Sequence, residues 1–197
     1  SVPFKEGTVG IADYAFANKT WTGSELNNAP LLRSVNLQKS VKYIGREAFC
    51  NNEVLDTFSA QDSSLEYIGK YAFNGCTALT NLFLNNGKLT EIDSFAFYNC
   101  SSLFGSNIIP SSVTKIGQMA FKKTGNWNNV TNGIVLIDNW VMGINGTATE
   151  VTIPDSVNGK SMKIADYAFY KVNDLTKVNG LENVSYIGNS AFRDCSS

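Results

Sequence analysis

The chain has 197 residues, 43% hydrophobic and 12% aromatic, which excludes a disordered segment and suffices for one large domain or a modest repeat array. Lys and Arg number 16 against 17 Asp and Glu, and no basic run occurs, so nucleic acid and an anionic membrane are poor candidate partners. Histidine is absent, which removes Ser-His-Asp and Cys-His catalysis and the commonest metal ligand, and no apolar stretch approaches the ~18 residues of a membrane span.

The first element is Ile11 followed by Ala15-Phe16, and the same phrase returns along the chain. It stands at Ile44 with Ala48-Phe49, Ile68 with Ala72-Phe73, Ile92 with Ala96-Phe97, and Ile116 with Ala120-Phe121. It closes the chain at Ile164 with Ala168-Phe169 and Ile187 with Ala191-Phe192. Successive Phe residues are 33, 24, 24, 24, 48 and 23 apart, and a period of 20 to 29 residues marks a solenoid. The long first interval holds a Ser-, Gly- and Asn-rich stretch with Pro30, read as a loop insertion over 17–31. A second apolar phrase begins six residues after the Phe, at Leu55, Leu79, Leu103 and Leu175. Leu55, Phe58 and Ala60, then Leu79, Leu82 and Leu84, then Leu175 and Val178 alternate as strands do, with Leu32, Val35 and Leu37 ahead of them. Trp127 stands on the same phase and is assigned to the core.

The doubled interval before Phe169 lacks the Ala-Phe expected near position 145. Gly133 to Ile137 and Trp140 to Gly143 flank Asp138-Asn139 and predict a β-hairpin over 133–144. The strand pattern resumes at Val151 and Ile153. Gly45, Gly69, Gly117 and Gly188, each following the repeat Ile, are read as positive-φ turn positions.

Ile68-Gly69, Ala72-Phe73-Asn74-Gly75-Cys76 and Leu79, with the linking phrases Ile109-Pro110-Ser111-Ser112-Val113 and Ile153-Pro154-Asp155-Ser156-Val157, resemble the BspA-like leucine-rich repeat family. The resemblance spans essentially the whole chain. It implies an α/β leucine-rich repeat: a right-handed, β-rich solenoid of about eight units in one domain, 1–197. A parallel β-sheet is expected on the concave face, turns or short helices on the convex face, and one hairpin insertion. It also implies a secreted or surface-anchored protein, associated with adhesion and protein binding and without catalytic residues. Starting at Ser1 and ending one residue short of the next repeat leucine, the chain reads as a piece of a longer protein, with signal and anchor outside it.

Residues that could carry chemistry have structural explanations in the repeat. Cys76, Cys100 and Cys195 each lie three residues after the Phe, and Cys50 one after it. Adjacent units stand ~5 Å apart, so buried thiols and a Cys76–Cys100 disulfide both fit. Asp13, Asp166 and Glu47 are read as exposed turn residues. No calcium-loop motif and no glycine-rich phosphate loop occurs, so no metal and no cofactor is expected. The outward strand positions form two rows, Ser34, Thr57, Asn81, Gly105, Glu150, Lys177 and Asn36, Ser59, Phe83, Asn107, Thr152, Asn179. Such rows form a solenoid's extended binding surface. Candidate ligand-binding residues are therefore Asn81, Phe83, Thr57, Ser59, Asn107, Glu150 and Lys177, together with Trp21 and Trp140, because Trp serves binding hot spots and sugar platforms. The expected function is non-enzymatic binding of an extracellular or host protein through the concave face; the alternative is a carbohydrate-binding or purely structural spacer domain.

Overall fold

The structure, a computed structural model, describes residue 5, residues 7–19, residue 22 and residues 32–197. Short strands follow one another along the chain: β1 (Gly10–Ile11), β2 (Ser34–Asn36), β3 (Tyr43–Ile44), β4 (Thr57–Ser59), β5 (Tyr67–Ile68), β6 (Asn81–Phe83), β7 (Glu91–Ile92) and β8 (Lys115–Ile116). A short helix, α1 (Gly125–Asn128), precedes the hairpin of β9 (Gly133–Ile137) and β10 (Trp140–Asn145). The remainder is β11 (Glu150–Thr152), β12 (Met162–Ile164), β13 (Lys177–Asn179), a 3-10 turn at Leu181–Asn183 and β14 (Val184–Ile187). The loop assigned to 17–31 falls almost wholly outside the described residues.

Two parallel ladders run side by side through the first units, giving a β-solenoid. In one, β2, β4 and β6 pair in that order, with Val35, Phe58 and Leu82 in register and buried. The other ladder was not anticipated from the Ile phrase: β1, β3, β5, β7 and β8 pair through Ile11, Ile44, Ile68, Ile92 and Ile116, all buried. A β-branched residue suits a two-residue strand that buries one side chain.

The Ala-Phe segment is a run of turns, and it carries hydrogen bonds from unit to unit. The amides of Phe16, Phe49, Phe73, Phe97 and Phe169 donate to the Ala carbonyl one unit on, as in Phe49 to Ala72, Phe73 to Ala96 and Phe97 to Ala120, all at 2.7 Å. The amides two residues either side do the same: Tyr71 to Ser94 at 3.1 Å and Gly75 to Tyr98 at 2.9 Å. Inside this stack the rings of Phe16, Phe49, Phe73, Phe97 and Phe121 lie face to face, with centroids 5.4, 5.0, 5.0 and 5.1 Å apart. Burying each ring is worth about 1.5–3 kcal/mol, and offset stacking adds ~0.5–1.5 kcal/mol.

The glycine of Ile-Gly is not a positive-φ residue. That conformation falls three residues after the Ile, at Tyr14, Glu47, Tyr71, Phe95, Met119, Tyr167 and Ser190, with φ between 54° and 60°. Glycine is needed for close approach instead. A Cβ on Gly69 would lie 2.8 Å from the carbonyl carbon of Gly45 and 2.8 Å from the carbonyl oxygen of Ile44, and one on Gly117 2.4 Å from the amide of Ser94.

The hairpin is a wall between two cores. Val135, Ile137, Trp140 and Met142 face the larger hydrophobic core, built by the units up to Phe121. Ile134, Leu136, Val141 and Ile144 face the smaller one around Ile164 and Phe169. Alternation along the two strands therefore serves two interiors. β10 also pairs in parallel with β12, and β12 with β14, so the hairpin hands the Ile ladder to the last units. Its tip is tied to both sides. Asp138 accepts the amides of Asn107 at 2.6 Å and Ile109 at 2.8 Å, while Asn139 donates to the Ser161 carbonyl at 2.7 Å.

Candidate functional site

The outward strand positions assemble only in part. Ser34, Thr57 and Asn81 stand in register, as do Asn36, Ser59 and Phe83. Asn81 and Phe83 are exposed and Thr57 and Ser59 half-buried; Asn81 Nδ2 donates to Thr57 Oγ1 at 3.3 Å. The row then breaks. Gly105 and Asn107 form no strand, because neighbours take over their backbone. Gly105 exchanges two hydrogen bonds with the Asn126 side chain, at 2.9 and 2.7 Å, and the Asn107 amide goes to Asp138. Their φ values of 139° and 59° lie outside the extended region.

The break leaves a cleft of about 300 Å³ between β6 and the 103–108 segment. Asn81 and Phe83 line one side, Phe104, Asn107 and Ile108 the other. Phe83 is 43% and Phe104 61% exposed, and neither stacks on another ring among the described residues. Two large apolar side chains facing water across one cleft are the feature most unlike an ordinary solvated surface. Sequence reasoning missed Phe104. Its signal was a Phe in the polar position directly after the strand leucine, where earlier units carry Asp56 and Thr80.

Glu150 and Lys177 lie elsewhere, opposite each other in the separate two-stranded sheet β11–β13, both exposed. Trp140 corrects the reading of it as an exposed platform. It is 1% exposed, edge-on to Tyr186 with centroids 5.8 Å apart, and covered by Lys163 Nζ 5.0 Å from its ring centre. Its position on the core side of the hairpin wall explains this. Burial lowers the Lys163 ammonium below its ordinary pKa, and its Nζ donates to the Val113 carbonyl at 3.0 Å. Trp127 is buried, in line with its repeat phase. Trp21 lies outside the described residues.

Two of the three carboxylates read as exposed are buried, Glu47 and Asp166, while Asp13 is exposed. Asp13 Oδ1 accepts the Arg46 amide at 2.7 Å and Asp166 Oδ1 the Asn189 amide at 2.8 Å, so both tie one unit to the next. The cysteines are free thiols, not a bridge. Cys76 donates to the Phe49 carbonyl at 3.2 Å, Cys100 to Phe73 at 3.1 Å and Cys195 to Phe169 at 3.0 Å. Asn52 fills the same position in its unit and donates to the Phe16 carbonyl. Burial pushes the Cys76 and Cys100 thiols well above their ordinary range, the opposite of a reactive cysteine.

A second concavity, about 460 Å³, runs beside the Ala-Phe turns past Asn51, Asn74, Tyr98, Asn99 and Lys123. Its rings already have partners: Tyr71 stacks on Phe95 at 4.9 Å, and Lys123 Nζ lies 5.2 Å from the Tyr98 ring centre. Among the described residues no group of three or more His, Cys, Asp or Glu is placed to hold a metal ion, and no helix is long and apolar enough to cross a membrane.

Stacked units with an inter-unit Phe ladder and a separate strand row define a leucine-rich-repeat solenoid. The pattern of the BspA type leucine rich repeat region matches residues 10–141 and 144–197, in six copies, and the chain belongs to this family. No curated protein sequence matches it. Among solved structures, a leucine-rich repeat protein from Bacteroides ovatus aligns at a TM-score of 0.51 and 22% identity, over 95% of this chain and 56% of its own. The chain thus spans little more than half of that relative. The Treponema pallidum leucine rich repeat protein gives 0.45 and 23%, over 85% and 78%. A leucine rich cell surface protein from Faecalibacterium prausnitzii gives 0.40 and 21%, over 95% and 68%.

Proposed function

We propose that this chain is a non-enzymatic binding module, displayed outside the cell, that mediates adhesion by holding another protein on its outward strand row. That row is taken as the concave face. One observation carries the reading: Phe83 and Phe104, 43% and 61% exposed, flank a single cleft bordered by Asn81 and Asn107. An aromatic pair ringed by uncharged polar side chains has the make-up of a protein-binding hot spot. Membership of the family and the near-neutral, Asn- and Ser-rich strand row support a surface role over nucleic-acid contact.

The test is a binding screen of the purified chain against extracellular-matrix proteins, with the Phe83→Ala/Phe104→Ala double variant beside it. A bound protein should lose at least about tenfold in affinity with the variant, as loss of a hot spot requires. Both side chains are exposed, so the variant's unfolding midpoint should stay close to wild type. Unchanged affinity would remove the cleft from the binding surface. The Tyr71–Phe95–Tyr98 groove, with its Asn side chains, favours a second reading, recognition of a glycan. A glycan array separates the two, since sugar binding there would be lost with Tyr98→Ala and kept with the Phe83 variant.

A further inference from the structure

We propose that the partner is held as an added β-strand: an extended, uncharged peptide segment pairs with the open edge of β6 and sets an apolar side chain between Phe83 and Phe104. This rests on the protein-binding reading of the same cleft. The argument starts from the backbone. In the β2–β4–β6 ladder each strand bonds to the next in a fixed pattern. The Arg33 carbonyl accepts from the amides of Asp56 and Thr57, at 2.9 and 3.2 Å, and the Asp56 carbonyl from Thr80 and Asn81, both at 3.0 Å. In the other direction the amide of Leu37 donates to Ser59 at 2.8 Å, and that of Ala60 to Phe83 at 2.7 Å.

One unit further, the pattern asks the Thr80 carbonyl and the Leu84 amide to bond to residues near 104 and 107. Among the described residues no backbone hydrogen bond joins 80–84 to 103–108. Asn126 and Asp138 hold that segment instead. β6 is therefore the edge of its sheet. Strand alternation turns the Leu82 amide and carbonyl to the same unpaired side as the Thr80 carbonyl and the Leu84 amide. Thr80 is exposed, while Leu82 and Leu84 are buried under the 103–108 side of the cleft, which an added strand displaces. An exposed strand edge is a ready template for another chain.

The cleft fits that occupant. Thr80, Asn81, Leu82, Phe83 and Asn85 line it on the β6 side, and every residue that lines it is uncharged. A sugar or a small molecule would leave the regular spacing of open donors and acceptors unmatched. An extended polypeptide matches it, and continues a ladder already three strands wide. The neutral walls favour a segment without charge, since an unpaired charge placed there would lose solvation. The two exposed rings then give specificity to one inward-facing side chain, as pockets beside an added strand do.

The experiment selects random linear peptides displayed on phage against the wild-type chain, with counter-selection on the Phe83→Ala/Phe104→Ala variant. Selected peptides are then resynthesised with single N-methyl groups at each amide in turn. Strand addition predicts a period of two: methylation at alternate positions lowers affinity about tenfold or more, the loss of one hydrogen bond, and the intervening positions change little. A scan without that period, in peptides still sensitive to the variant, overturns strand addition and leaves the cleft as the binding site. Failure to recover any peptide that separates wild type from variant overturns both.

Discussion

Asp138 accepts the backbone amide of Asn107 at 2.6 Å, a contact between the tip of the hairpin wall and the unit that leaves the strand row. Its other oxygen takes the Ile109 amide at 2.8 Å. Two hydrogen bonds to one carboxylate fix the far side of the Phe83–Phe104 cleft and join the hairpin to the first core.

Asp138→Ala should therefore destabilise the chain by about 3–6 kcal/mol, the loss of two hydrogen bonds to a charged group. Asp138→Asn, which keeps one acceptor and tolerates the φ of 52° at this position, should lose less. Urea unfolding midpoints measure the difference. Equal losses in the two variants would mean that the charge and the second acceptor oxygen, which both variants lack, matter more than the turn conformation.

Gly69→Ala should cost about 1–3 kcal/mol, because its Cβ would meet the backbone of Gly45 and Ile44 at 2.8 Å and backbone cannot step aside. Gly10→Ala is the control. A Cβ there meets Tyr43 atoms no closer than 3.5 Å, so its midpoint should stay within about 0.5 kcal/mol of wild type. A large loss in Gly10→Ala would undo the close-approach explanation.

The sequence displayed the repeat clearly because the Ile, Ala and Phe positions are buried in the units from Ile44 to Phe121 and again from Ile164 to Phe169, and burial restricts residue type there. The hairpin was legible too, since two β-rich runs flank Asp138-Asn139. What it walls off was not: both of its faces are apolar, and one chain cannot say that the two faces belong to different cores. Gly69 shows a similar limit. A glycine in phase has two causes, positive φ or close approach, and only the neighbouring unit tells them apart. The actual positive-φ sites carry Tyr14, Glu47, Tyr71, Phe95 and Met119, residue types that give no hint of it. At the candidate cleft, Asn81, Phe83 and Asn107 were named from strand alternation, although Asn107 stands on no strand. Phe104 was missed, and Trp140 misplaced, because both depend on where the 103–108 segment and the hairpin lie in space.

Stability should fall at alkaline pH. Burial raises the thiols of Cys50, Cys76 and Cys100, that of Cys50 from 9.0 to about 12. Above pH 9.0 the unfolded chain releases these protons while the folded chain keeps them, so the unfolded state binds fewer protons and stability declines as pH rises. The contribution is whole below 9.0 and is lost on the way to about 12 for Cys50. Tyr67, raised by burial and by donating to Asp93 at 2.7 Å, adds a slope of the same sign. Urea midpoints at about pH 8 and about pH 10.5 should differ less in a Cys76→Ala/Cys100→Ala variant than in wild type, yet still differ. An identical alkaline loss in both would exclude the thiols as its source.

The central claim is that the strand row ends at β6 and leaves an open edge. Ala60 and Leu84 occupy the same position in successive units, and only the Ala60 amide has a backbone acceptor, Phe83 at 2.7 Å. Amide hydrogen exchange compares the two directly. The Leu84 amide should exchange on the order of a hundredfold faster than that of Ala60 under native conditions. Equal protection would mean that the edge is closed and that the cleft offers no strand to pair with.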